Sequence, residues 1–442
     1  MSITEQELTD YFQHKFTDFS KKSNGNLIPE IKELREDAIE KFSQLGFPLK
    51  KTEEYKYTPI TRSILKSVSL DTDHPSEATM LPPFGEHLMP ELDGFLLVYW
   101  NGRLVFKSED IPDGLEIEQF NELTPARQNE ILGYLSSLGD LNTDVFASLN
   151  TAFINQGSLI KIAEGAKIEQ PIVIYHFFDG GSINTYSQTR HLIVSGKNSE
   201  ATILEVNKNI NSELEVFQNA VTEVFLDEAA RLHLHKLQTN CEGAIIVDNT
   251  SINQERNSYL NCNTITTGGK MIRNNLNISI NGEYCEAHMT GLYLLRDKDH
   301  VDNHTKVDHR IANSFSNELY KGIIDESATG VFNGKIFVQP DAQKTNAFQS
   351  NKNILLSNSA NMNTKPQLEI WADDVKCSHG ATTGQLDEEQ IFYLRARGLD
   401  EQQAKGLLLY AFAKECLENI NVQQVQSHLE AVTSERLHNS MS

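Results

Sequence analysis

Asn274-Asn-Leu-Asn-Ile-Ser-Ile-Asn-Gly282 decides the fold of this chain. Leu276, Ile278 and Ile280 alternate with polar residues at a period of two, and Asn281-Gly282 ends the run as a turn. Runs of the same kind recur at 191–194, 221–226, 232–237, 305–310, 330–338, 353–356 and 367–372. Between about 157 and 383 helical periodicity is absent, and Asn, Gly, Asp and Ser fill the gaps. Many short strands with polar turns suit a sandwich, a barrel or a solenoid. A sandwich closes in about half this length, so the unbroken tract favours a parallel β-helix. No clean hexapeptide or nonapeptide repeat is present.

Helical patterns flank the tract. Thr4-Glu-Gln-Glu7 is a capping box ahead of Leu8, Phe12, Phe16 and Phe19. A second helix opens at Pro29, carries Ile31, Leu34, Ala38 and Phe42, and stops at Gly46. Two apolar runs around Asn101-Gly102 predict a type I′ hairpin, and helices are predicted over 125–138 and 144–155. After the tract, Asp387-Glu-Glu-Gln390 starts a helix with Ile391, Leu394 and Arg395, closed by Gly398. Asp400-Glu-Gln-Gln403 starts another, with Ala404, Leu407, Leu408, Ala411 and Leu417 assigned to one side. A last helix carries Val422, Val425, Leu429 and Val432. The predicted fold is mainly β: a helical region with a small hairpin over 1–156, a parallel β-helix over 157–383, and a helical region over 384–442.

Composition narrows the function. The 442 residues include 39 Lys and Arg against 61 Asp and Glu, a net charge of −22. A general nucleic-acid binder needs a basic face, which this balance argues against. The apolar runs are far shorter than the roughly 20 residues that cross a bilayer, and Met1-Ser-Ile-Thr-Glu-Gln-Glu7 lacks the segments of a secretory leader. The expectation is a cytoplasmic chain that binds no membrane. Five widely spaced cysteines with no Cys-x-x-Cys predict neither disulfides nor a four-Cys metal site. No Gly-x-x-x-x-Gly-Lys-Ser/Thr occurs, so any nucleotide must come with another chain.

Cys377-Ser-His379 is the main chemical candidate. If the strand beginning near Gln367 continues, residues 371, 373, 375, 377 and 379 share one face. A thiolate and an imidazole would then stand side by side as metal ligands. A packed cysteine and a backbone-bonded histidine fit the same spacing, and a Cys–His nucleophile lacks a third member. His300, His304 and His309 sit in β-like sequence, which favours structural roles. Asp373-Asp374 and Asp299/Asp302 keep a β-helix carbohydrate-active enzyme as an alternative, although adjacent strand residues face opposite sides.

The run from Gly330-Val-Phe-Asn-Gly-Lys-Ile-Phe-Val338 through Ala342–Ser350 and Thr364–Ile370 continues into Asp373-Asp-Val-Lys-Cys-Ser-His-Gly-Ala-Thr382 and Gly384–Gly398. Together with Phe47-Pro48 and Thr52-Glu-Glu-Tyr-Lys-Tyr-Thr58, it resembles the SufB/SufD family of iron–sulfur cluster assembly scaffolds. Ser378-His-Gly-Ala381 stands where the SufB type has Glu-His-Glu-Ala, which points to the SufD-type branch. The resemblance implies that the central β-helix is right-handed, and that the chain is a non-enzymatic scaffold working with a SufB-like paralogue and a SufC-like ABC ATPase. A transient cluster would form at the subunit interface, and the chain alone would hold no cofactor stably. The family's cluster-interface histidine falls on His379, with Cys377 beside it. ATPase docking would fall on the C-terminal helices, where Leu394, Arg395, Leu407, Leu408 and Tyr410 are the candidate contacts. A homodimer is implied for the chain alone, and a purely structural partner of the ATPase is the other alternative.

Overall fold

The computed structural model describes residues 4–439 apart from 24, 50, 68–83, 140, 180–184 and 211–214. Its N-terminal part begins with α1 (Glu5–Ser23), α2 (Pro29–Leu45) and α3 (Ile60–Ser67). The reciprocal bonds between Thr4 and Glu7 cap α1. Strands β1 (Phe95–Trp100) and β2 (Arg103–Lys107) form the hairpin, with Asn101 and Gly102 both at positive φ as a type I′ turn requires. Next come β3 (Leu115–Gln119), α4 (Pro125–Ile131) and α5 (Val145–Ala152). The helix predicted over 125–138 therefore ends early. Glu223 accepts from the backbone N–H groups of Ser136 and Leu138, and Ser136 takes a positive φ that a helix does not allow.

The solenoid follows as β4 (Gly157–Ile162), β5 (Ile172–Phe178), β6 (Thr185–Ser195), β7 (Glu200–Asn209), β8 (Val216–Leu226) and β9 (Arg231–Gln238). It continues through β10 (Ala244–Gln254), β11 (Tyr259–Thr266), β12 (Met271–Ile280), β13 (Glu286–Leu295) and β14 (His300–His309). Its last strands are β15 (Phe315–Ile324), β16 (Thr329–Val338), β17 (Asn346–Leu355), β18 (Asn361–Ile370) and β19 (Lys376–Gly384). Odd strands from β5 build one sheet and even strands from β4 the other. Neighbouring rungs are parallel and in register, so Arg231, Tyr259, Glu286, Phe315, Asn346 and Lys376 stack in one column. The expected parallel β-solenoid is present. Corner residues such as Asn198, Ala229, Asn257, Tyr284, Asn313 and Lys344 take positive φ at successive turns.

Four apolar clusters hold the described residues together, one of them joining Ile31 of α2 and Ile131 of α4 to Leu159 and Leu192 of the even sheet. Alternate residues of both sheets meet inside, among them Ile203, Leu234, Ile246, Ile278 and Ile336. Phe217, Ile245, Val247 and Met271, on the outer face of the even sheet, pack against Leu8, Phe12, Phe42 and Ile60. On the outer face of the odd sheet, Leu292, Leu294 and Ile323 pack against the C-terminal helices. These are α6 (Glu388–Ala396), α7 (Glu401–Leu417) and α8 (Gln423–Asn439). Strand β10, covered on both faces, is buried along its whole length. The interior also holds charge: Lys236 Nζ bonds both Asp248 oxygens at 2.7 and 2.8 Å and lies 3.2 Å from Glu205. Pairing is what makes such burial tolerable.

A strap ties the N-terminal region to the last rungs. Arg273 Nη1 donates to the Glu54 carbonyl at 2.7 Å and to Asp302 at 2.6 Å, with its guanidinium over the Tyr55 ring. Glu54 meets His304 at 3.4 Å and Lys335 at 2.8 Å, and Glu53 accepts from Lys365 at 3.0 Å. One short turn thus reaches strands β12, β14, β16 and β18. His304 first, then Lys335, holds the Glu54 carboxyl at about 2, against the burial that raises it. This folded value lies below the unfolded one, so ionised Glu54 stabilises the fold above pH 4.5 and the gain is lost as pH falls toward 2. The carboxylate is half-exposed and screened, so Glu54→Gln is expected to lower stability by about 1 kcal/mol at pH 7. Denaturant midpoints should show that deficit shrinking between pH 4.5 and 2.

Candidate functional site at the open end of the solenoid

The two ends of the solenoid differ. At the N-terminal end the sheets finish in antiparallel pairings, β1 with β2 and β4 with β3. At the other end the sheets stop at β19 and β18, and neither pairs further among the described residues. Edges of ten and nine residues are ready templates for another chain. Pro366 lies in β18, where an edge tolerates a missing N–H.

Both residues of the candidate motif stand on this edge. In β19, Cys377 pairs with Ala347 and His379 with Gln349. Ala347, Gln349, Asn351 and Asn353 of β17 are buried on the inward face. Cys377 and His379 therefore continue the inward columns by one rung. The Cys377 side chain packs against the interior cluster, and that burial raises its thiol above the ordinary range. A thiol so shifted is not an activated nucleophile. His379 is exposed because no further rung covers it.

The long strand predicted through residue 379 is corrected. Strand β18 ends at Ile370, and 371–375 turn the chain across to the opposite sheet. The turn is pinned by the Lys344 N–H donating to the Asp374 carbonyl and by the Asp374 N–H donating to Gln343 Oε1 at 2.9 Å. Residues 371, 373 and 375 therefore share no strand face with 377 and 379. Trp371 stacks on Phe337 with centroids 6.1 Å apart and is half-exposed beside the open edge. Asp373-Asp374 belongs to the turn and forms no paired-carboxylate groove.

The remaining candidates are structural. His300 Nε2 lies 3.1 Å from Thr58 Oγ1, His304 pairs with Asp302 and Glu54, and His309 bonds Ser316 at 2.8 Å. All five cysteines are free, and burial pushes the Cys262 thiol up to about 12. Among the described residues, no group of three or more His, Cys, Asp or Glu is placed to hold a metal ion. Nor is any helix among them long and apolar enough to cross a membrane.

A cleft of about 580 Å³ opens between α6 and α7, lined by Tyr393, Leu394, Leu407, Leu408 and Ala411, with Asp387 and Glu389 at its rim. Asp387 caps α6 through the Glu389 N–H, and Asp400 and Gln403 complete a capping box on α7. Of the five predicted contacts, Leu394, Leu407 and Leu408 line the cleft. Arg395 is exposed and pairs with Glu401 at 3.3 Å. Tyr410 is turned away, packed against the cluster beneath α7 and α8. The stripe assigned to α7 is corrected in part: Ala404 and Leu417 are buried as expected, but Leu407, Leu408 and Ala411 face the cleft. Its buried face is Ala404, Gly406, Leu409, Ala413, Cys416 and Leu417, because the odd sheet lies on that side. Phe392 and Tyr393, 74% and 56% exposed, were missed. The signal was there: neighbours of Ile391 cannot all share one buried stripe.

The chain matches two family descriptions. Residues 2–174 match the SufBD protein N-terminal region, and residues 177–412 match the SUF system FeS cluster assembly, SufBD core domain. The chain belongs to the SufB/SufD family. It is 30% identical over 407 residues to the iron–sulfur cluster assembly protein SufD of Escherichia coli, covering 90% of this chain and 91% of that one. It is likewise 30% identical over 411 residues to an iron–sulfur cluster assembly SufBD family protein of Synechocystis, slr0076, covering 90% of each. A second such Synechocystis protein, slr0074, is 22% identical across 90% of this chain and 78% of its own length. As a SufB/SufD protein, the chain takes part in iron–sulfur cluster assembly.

Proposed function

We propose that this chain is a non-catalytic scaffold subunit acting in the cytoplasm. It presents His379 to a cluster shared with a SufB-like paralogue and docks a SufC-like ABC ATPase on the α6–α7 cleft. The observation that carries this reading is the open end, where two unpaired edges surround one exposed imidazole. Edge strands recruit strands from another chain through main-chain hydrogen bonds. An imidazole suits iron, but one alone cannot hold a cluster, so the other ligands come from across the interface. Cys377, half-buried with a raised thiol, serves mainly to pack. The same edges offer a self-complementary surface, which supports a homodimer when the chain is alone. The exposed Phe392, Tyr393 and Leu407 around the cleft support ATPase docking there.

The lone purified chain is expected to be nearly colourless and to hydrolyse no ATP after anaerobic reconstitution with a small excess of iron and sulfide. Co-purified with its SufB-like and SufC-like partners, it should retain both. Stoichiometric iron and sulfide on the lone chain would overturn the shared-cluster reading.

A further inference from the structure

We infer that Gln349, itself held by Glu318, is a positioning residue that orients the imidazole of His379; this rests on the reading of His379 proposed above. Gln349 is only 3% exposed, and its Nε2 donates to Glu318 Oε2 at 2.7 Å. A carboxyl oxygen facing the amide makes nitrogen the donor on that side, which fixes the amide's orientation. Gln349 Oε1 is then left buried with no hydrogen-bond partner in the chain. Such an acceptor is costly unless a donor reaches it.

The donor stands one rung away. His379 is the in-register partner of Gln349 on the same pleat face, across the roughly 4.8 Å between paired strands. Its neighbours on that face, Cys377 and Ala381, stand over Ala347 and Asn351 instead. The opposite sheet makes room for this amide. A Cβ on Gly334 would lie 2.2 Å from Gln349 Nε2, so glycine leaves the notch the amide fills. An imidazole turned inward donates one ring N–H to Oε1. The lone pair of its other nitrogen then points away from the interior, toward the open end and an incoming metal. Ligating histidines are set this way, by an acceptor on the second nitrogen. Glu318 is fully buried, and that burial pushes its carboxyl up to about 7. Ionised, above that value, it can only accept, which keeps Nε2 toward it, so the tautomers are read at pH 8.

The test uses three near-isosteric variants of the full chain: Gln349→Met, Glu318→Gln and the exchange Glu318→Gln/Gln349→Glu. Histidine ring nitrogens are ¹⁵N-labelled, and the His379 signals are identified by their loss in His379→Ala. The expected result is one dominant His379 tautomer in the parent chain and a mixture of tautomers in Gln349→Met. Glu318→Gln should give a partial mixture, because the amide can then reverse. The exchange variant should restore the parent pattern, since an acceptor again faces His379. Cluster yield in the complete complex should fall several-fold in Gln349→Met and recover in the exchange variant. An unchanged His379 tautomer in Gln349→Met would overturn the inference while leaving His379 as a ligand. Normal cluster yield in His379→Ala would instead remove the reading on which it rests.

Discussion

Replacing His379 with alanine is expected to leave the chain folded and still able to join its partners, while cluster formation in the complex drops at least about tenfold. The fold is spared because the ring is exposed on the last rung and covers no core. Surface changes of this kind stay within about 0.5 kcal/mol, or a degree or two in melting temperature. The chemical loss is large because even removing an outer partner of a metal ligand costs 10–100-fold. Cys377→Ser should act differently. It puts a hydroxyl against the interior cluster, so it should lower the melting temperature more and the cluster yield less. Melting temperature and iron–sulfide content on the same preparations separate the two effects. A His379→Ala complex of normal stability and normal cluster yield would take this residue out of the chemistry.

Leu407→Asp is expected to weaken ATPase binding about 100-fold or more, with little change in stability. Leu407 is 48% exposed at the mouth of the α6–α7 cleft, so its loss uncovers nothing inside the chain. An aspartate there would place an unpaired charge against the partner, and buried interface anchors commonly carry 2 kcal/mol or more each. Tyr393→Ala should act in the same direction. Removing 387–442 altogether is a poor test. Leu409, Ala413 and Leu417 of α7 cover Leu292, Leu294 and Ile323 of the odd sheet, and deletion would strip that face. Titration calorimetry of the point variants against the ATPase is the direct measurement. Unchanged affinity in both would send the docking site elsewhere.

The alternation around Leu276, Ile278 and Ile280 was legible because the residues between them, Asn275, Asn277 and Ser279, are polar and only partly buried. Strand β10 was not, since helices cover its outer face and alternation vanishes when both faces are buried. The rung period was hidden for another reason. Corners at Ala229, Tyr284 and Lys344 adopt positive φ without glycine, so no fixed residue type marks each turn. At the site, the pair Cys377 and His379 could be read from spacing. The crossing turn at 371–375 could not, because it depends on Lys344 and Gln343 one rung earlier. The family resemblance implied a role for His379, and its exposure came only from the structure. Gln349 carried no sequence signal, since its register against His379 exists only after the rungs stack.

The strap formed by Glu53 and Glu54 has a consequence for the order in which the chain is made. Its partners Lys335 and Lys365 lie 281 and 312 residues downstream. During synthesis the first turn of the strap emerges long before anything it can grip. Rungs that touch only their neighbours can stack one at a time as they leave the ribosome. The strap cannot close until the penultimate strand is in place. Its closure therefore reports that the stack has been built as far as β18, one strand short of its end.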